Sequence, residues 1–196
     1  MPVARSPISA RPAPAGTGAL TITDLSSVAK VQIRAPHDGA FAATLVPFGR
    51  AARDDSGALV LVIGSGPGEW LVIDAPGTQD ALLARMEDHA AVPDEFVTVV
   101  DLSHGRALVR LHGRRSADLL AKVCGIDLAD DVVPDGAALR TSVAKLVTDI
   151  VRDDVDGVRS YLLHCERSSG QYLAGALLDA GAEFGIAFTA ELPSWR

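Results

Sequence analysis

Apolar residues recur along the chain at two spacings, one of about two residues and one of three to four, and the switches between them mark out strands and helices. Two apolar runs, Ala58 to Ile63 and Trp70 to Asp74, flank the turn-forming segment GSGPGE and predict a β-hairpin. From Gln79 to Ala90 the apolar residues Leu82, Leu83, Met86 and Ala90 fall near one helical face, with Thr78 placed to cap it. Phe96 to Leu102 is a β-branched run. Ala107, Val109 and Leu111 then alternate with Leu108, Arg110 and His112, as a half-buried strand requires. Ser103-His104-Gly105 is left as a short turn between two strands.

The second half repeats the alternation. Ala117, Leu120, Ala121 and Cys124 stand at i, i+3, i+4 and i+7 and predict a helix that Gly125 ends. Thr141 to Val151 reads as a strand, RDDVDG as a turn, and Val158 to Cys165 as the returning arm of a hairpin. Ser168 and Gln171 match the S-x-x-Q capping box of a last helix, whose apolar face is Leu173, Ala176, Leu177 and Ala180 before Gly181. The acidic stretches LADDVVPDG and RDDVDG read as solvated loops, and no short repeat is visible. The succession is that of an α+β fold with split β-α-β, ferredoxin-like layering.

Composition narrows the function classes. A chain of 196 residues, 48% hydrophobic and 22% charged, is long enough for one globular domain, or two fused subdomains, over 21–196. Residues 1–20, rich in Pro and Arg at their start, read as an extended N-terminal arm. A net charge of −7 gives no basic surface for nucleic acid or an anionic membrane. The apolar runs are too short to span a bilayer and no secretory signal is recognisable, so the expected compartment is the cytoplasm. Cys124 and Cys165 sit in apolar stretches at a spacing that suits neither a CxxC pair nor a disulfide framework, and read as buried thiols.

Three groups of residues invite a chemical reading. Gly64-Ser65-Gly66-Pro67-Gly68 suggests a phosphate-cradling loop, but a strand follows it where a dinucleotide site needs a helix, and Pro67 removes a donor. Asp101, Ser103, His104 and Arg106 hold the residue types of a hydrolytic site, yet three near neighbours at one strand end cannot easily form a triad with an oxyanion hole. They are expected to order the turn or to contact a partner, as is Trp70; Trp195 is a further candidate interface anchor. His37, His89, His112 and His164 are scattered without metal-ligand spacing. No catalytic, cofactor-binding or metal-ligating residue is assigned.

The segments GPGEWLVI, VVDLSHGRALVRLHGRRSADLLAKVCGIDL and GAALRTSVAKLVTDIVR, taken in order, resemble the gamma subunits of heterotetrameric sarcosine oxidases, which are related in fold to the folate-binding domain of the glycine-cleavage T-protein. The likeness runs from about Ser26 to Gly185. It implies a place in a complex that demethylates sarcosine to glycine, makes hydrogen peroxide, and releases formaldehyde or forms 5,10-methylenetetrahydrofolate. It also implies that FAD, FMN, NAD and tetrahydrofolate belong to the alpha and beta subunits and zinc to the delta subunit, leaving this chain structural. The T-protein's C-terminal domain has no counterpart here, which argues against the alternative of a free-standing folate-binding or aminomethyl-transfer protein.

Overall fold

The computed structural model describes residues 5–9, 19–54 and 60–189. Ala58, Trp195 and most of the expected N-terminal arm lie outside the described residues. In chain order the strands are β1 (Thr21–Asp24), β2 (Val28–Arg34), β3 (Ala51–Arg53), β4 (Leu61–Gly66), β5 (Glu69–Pro76), β6 (Thr98–Asp101), β7 (Arg106–His112), β8 (Ala138–Val143), β9 (Leu146–Arg152), β10 (Ser160–Glu166) and β11 (Ala187–Thr189). The α-helices are α1 (Gln79–His89), α2 (Ser116–Ala121) and α3 (Gly170–Gly181). None of them is long and apolar enough to cross a membrane.

The chain divides into two compact units. Among the described residues, one combines those up to Ser26 with Gly105–Thr189, and the other takes in those from Ser27 to His104.

In the first unit the sheet order is β11-β1-β7-β10-β9-β8, antiparallel throughout except for the parallel pair β1 and β11. From β7 onward this is a split β-α-β arrangement: β7, α2 and β9 form one crossover with β10 between the two strands, and β10, α3 and β11 form the second. β1 is inserted beside β7, and β8 extends the far edge. One face of the sheet carries Val109, Leu111, Tyr161, Leu163 and Ile150. These residues share a core with Leu119 and Leu120 of α2 and Leu173 and Leu177 of α3. Ile8 of the N-terminal segment joins that core, and Ser9 donates its N–H to Gln171 at 2.6 Å.

In the second unit the sheet is antiparallel, in the order β3-β4-β5-β2-β6. Ala29, Val31 and Ile33 of β2, with Trp70 and Val72 of β5, pack against Leu82 of α1, and Leu83, Met86 and Ala90 lie at the margin of the same core.

Several boundaries differ from those the spacing predicts. α2 stops at Ala121, although the apolar period continues to Cys124. Cys124 instead bridges to Val143 of β8, and Ala144 N–H donates to the Val123 carbonyl at 2.8 Å, so tertiary pairing captures the predicted last turn. Thr78 does precede α1, but its hydroxyl donates to the Ala75 carbonyl at 2.9 Å rather than accepting from the helix. The capping box is not formed. Ser168 lies in a 3-10 turn, Arg167–Ser169, and the Gln171 side-chain oxygen, Oε1, accepts the Ser9 N–H. Along α3 it is Ala174, with Leu173, Leu177 and Ala180, that is buried, and Ala176 is only half-buried. The single strand expected over Thr141–Val151 is broken by a tight turn at Ala144 and Lys145, both at positive φ, into β8 and β9.

Candidate functional site

The segment between β6 and β7 is organised by hydrogen bonds to β2. Asp101 Oδ1 accepts the Ser103 N–H at 2.8 Å, closing an Asx turn. The buried Ser103 Oγ accepts the Lys30 N–H at 3.0 Å, and Leu102 N–H donates to the Lys30 carbonyl at 2.8 Å. The hydroxyl therefore extends the pairing with β2 by one residue past the end of β6. His104 is exposed, and the chain passes from one compact unit to the other between it and Gly105. Arg106 is held at 2.7 Å by Glu166, its direct partner across the β7–β10 ladder. The Ser103 oxygen and one oxygen of the Asp101 carboxylate are thus both engaged with backbone.

Trp70 is buried in the second unit. Its indole N–H donates to the Val46 carbonyl at 2.8 Å, and its ring meets Phe41 edge-on at a centroid distance of 6.4 Å.

The glycine-rich stretch is the β4–β5 hairpin. Gly68 has φ of +68°, and a Cβ there would run into the Ala35 carbonyl oxygen; a Cβ on Gly64 would run into the Pro47 carbonyl oxygen. Close backbone approach therefore accounts for glycine at both positions, and strand β5 follows the turn where a dinucleotide-binding loop needs a helix N-terminus. Cys165 is fully buried, its thiol pushed up to about 11 by that burial, and Cys124 is buried as well.

Sequence reasoning missed a set of charged residues in the first unit. On the sheet face opposite α2 and α3, Asp149 Oδ1 accepts Arg140 Nε–H at 2.6 Å, and Asp149 Oδ2 lies 3.5 Å from His164 Nδ1; Asp149 and His164 are buried. On the same face Arg110 donates to the Ser160 hydroxyl at 2.8 Å and to Asp153 Oδ2 at 2.6 Å. At the end of β9, buried Arg152 donates to Asp130 at 2.6 Å, to Asp154 at 2.9 Å and to the Val133 carbonyl at 2.7 Å; Arg159 also pairs with Asp130. The hydrogen bond from Arg152 holds the Asp130 carboxyl below its ordinary range. Burial, then the nearby Arg110 charge, lowers the His112 imidazole, and burial raises the Tyr161 phenol. The available signal was strand alternation, since Ser160, Leu162 and His164 share one face of β10 and Arg110 opposes Leu162 on β7.

These elements match a known domain. The model of the GCVT N-terminal domain matches residues 15–190. The chain belongs to that family. It is 28% identical over 174 residues to the sarcosine oxidase subunit gamma of Corynebacterium sp. (strain P-1), covering 85% of this chain and 82% of that one. Its fold superposes with a TM-score of 0.72 on a chain of the heterotetrameric sarcosine oxidase from Corynebacterium sp. U-96 in complex with pyrrole 2-carboxylate, at 24% identity over 91% of this chain and 90% of that one. Against the glycine cleavage system aminomethyltransferase T from Bartonella henselae the TM-score is 0.67 at 15% identity, over 88% of this chain but only 48% of the other. The α+β fold is therefore that of the GCVT domain, and the chain is a homologue of a sarcosine oxidase gamma subunit.

Proposed function

We propose that this chain is the gamma subunit of a heterotetrameric sarcosine oxidase and serves there as a cytoplasmic, non-catalytic assembly subunit. Reciprocal coverage carries the reading: the likeness to the sarcosine oxidase subunit gamma takes in more than four-fifths of both chains, whereas the aminomethyltransferase is matched over about half its length. A subunit that only scaffolds needs no phosphate cradle, and the glycine stretch here is a closed hairpin. The oxidation of sarcosine, the reduction of oxygen and the transfer of the one-carbon unit would then take place on the other subunits, which hold the flavins, nicotinamide, folate and zinc.

Within this reading Asp101 and Ser103 fix the β6–β7 turn against β2, and Trp70 stiffens the hairpin beside it in sequence. Arg106 orders the start of β7 through its ion pair with Glu166, and exposed His104 presents its imidazole to a partner subunit. Co-expression with the alpha, beta and delta chains, followed by purification through a tag on this chain, tests the proposal. A stoichiometric complex that turns over sarcosine with release of hydrogen peroxide is the expected result. Recovery of this chain alone, beside a complete and active oxidase assembled without it, would overturn the proposal.

The likeness in fold to the aminomethyltransferase supports a second reading, a free-standing one-carbon transfer protein. Calorimetry with tetrahydrofolate on the isolated chain separates the two, because micromolar binding favours this second reading.

A further inference from the structure

Residues 5–9 belong to no strand or helix, yet they are held at four points of the first unit. Ile8 is buried in the core that α2 and α3 share with the sheet. The Ser6 hydroxyl donates to Asp24 at the end of β1 and accepts the Ile8 N–H at 2.9 Å, which folds the segment into a short turn. Arg167, in the turn before α3, donates to the Arg5 carbonyl, and the Ser9 N–H donates to Gln171 Oε1 at 2.6 Å. The first residue of α3 makes room for the segment. A Cβ on Gly170 would stand 2.6 Å from Ala107 Cβ, 3.2 Å from Pro7 Cγ and 3.5 Å from Ile8 Cγ1, so a side chain there would compete for the recess that Pro7 and Ile8 occupy.

These attachments are few and mostly shallow. The hydrogen bonds to Asp24, Arg167 and Gln171 are exposed to water, where their net worth is small. Burial of the Ile8 side chain is the main gain, and the conformational entropy of the ordered residues opposes it. The balance is much smaller than the stability of the sheet and helices, which rests on the rest of that core.

We propose that residues 5–9 form a detachable clasp, an internal ligand anchored by Ile8 that opens while β7, β10 and α3 stay folded. Closed, it seals the margin of the core beside Gly170 and ties the end of β1 to the start of α3. Open, it bares an apolar recess rimmed by one Asp24 carboxylate oxygen, the Arg167 guanidinium and the Gln171 amide. The clasp thus switches this face between a sealed and an open state without unfolding the unit.

The test follows amide hydrogen exchange of the full-length chain by NMR, at increasing urea below the unfolding transition. Exchange through a local opening exposes little surface and is nearly insensitive to urea, whereas exchange through global unfolding accelerates steeply with it. The Ser9 amide is expected to be protected about tenfold or more over the unfolded rate. It is also expected to exchange about a hundredfold or more faster than the slowest amides of β7 and β10, and without their urea dependence. Ile8→Ala should cut the Ser9 protection by about thirtyfold, the factor that corresponds to deleting a buried aliphatic side chain, or abolish it where it is smaller. Ser9 protection that matches the ladder amides in size and urea dependence would make the segment an integral part of the fold and overturn the proposal. An unprotected Ser9 in the wild-type chain, or Ser9 protection unchanged by Ile8→Ala, would overturn it as well. So would a variant that no longer folds, because an open clasp leaves the unit intact.

Discussion

Replacing Arg152 with methionine should destabilise the first unit far more than a surface charge change would. Arg152 is 8% exposed and donates to two Asp154 oxygens, at 3.1 and 2.9 Å, to Asp130, and to the Val133 carbonyl. Methionine fills much of the stem's volume and offers no donor, so the Val133 carbonyl is left buried and unpaired, at a cost of about 1–3 kcal/mol. The charge-assisted bonds to Asp154, itself mostly buried, add about 1.5–3 kcal/mol. Asp130 is two-thirds exposed and regains water, so it adds little. The expected loss is about 3–5 kcal/mol, in line with breaking a buried ion pair from one side. In urea unfolding followed by far-ultraviolet circular dichroism, this lowers the midpoint by about 1.5–2.5 M at an m-value of about 2 kcal/mol/M. A loss below about 1 kcal/mol would mean that the two acidic loops are solvated and that the hydrogen bonds of Arg152 do not hold them.

Three further outcomes follow from the same geometry. Gly68→Ala, forced into positive φ against the Ala35 carbonyl, should cost about 2 kcal/mol or more, and a neutral thermal melt would refute the closed-hairpin reading. The folded chain holds the His112 pKa below the unfolded value of 6.5, so its share of stability is present above that value and is lost as pH falls from 6.5 towards the folded pKa; His112→Gln should flatten urea midpoints in that window. With its thiol buried and raised to about 11, Cys165 should resist iodoacetamide at neutral pH until the chain is unfolded, and prompt labelling of the native protein would contradict its placement.

How far the pattern of residues reached depended on whether local and tertiary preferences agreed. In β7 and α3 they do, and both elements lie close to where their periodicity puts them. At Cys124 they conflict, and the bridge to Val143 ends the helix early. β2 carries the alternation Ala29, Val31 and Ile33, but Lys30, which the fold buries, stands between them and interrupts the local apolar pattern. The acidic loops misled for a related reason. Aspartates 130, 153 and 154 look solvated along the chain, while their arginine partners at 110, 152 and 159 are supplied by β7, the end of β9 and the segment before β10. The Asp101–Arg106 cluster was legible as a turn between two strands, but the role of Ser103 in binding the Lys30 backbone depends on a register between distant strands that no local pattern contains.

The most direct measurement of the central proposal compares wild-type and His104→Ala chains in the oxidase co-expressed with its other subunits, by native mass spectrometry and by sarcosine-dependent peroxide release per assembled, flavin-loaded complex. An assembly subunit is expected to give a smaller assembled fraction for the variant with turnover per complex unchanged. Full assembly and full flavin content with turnover lost would contradict it and place chemistry on this turn.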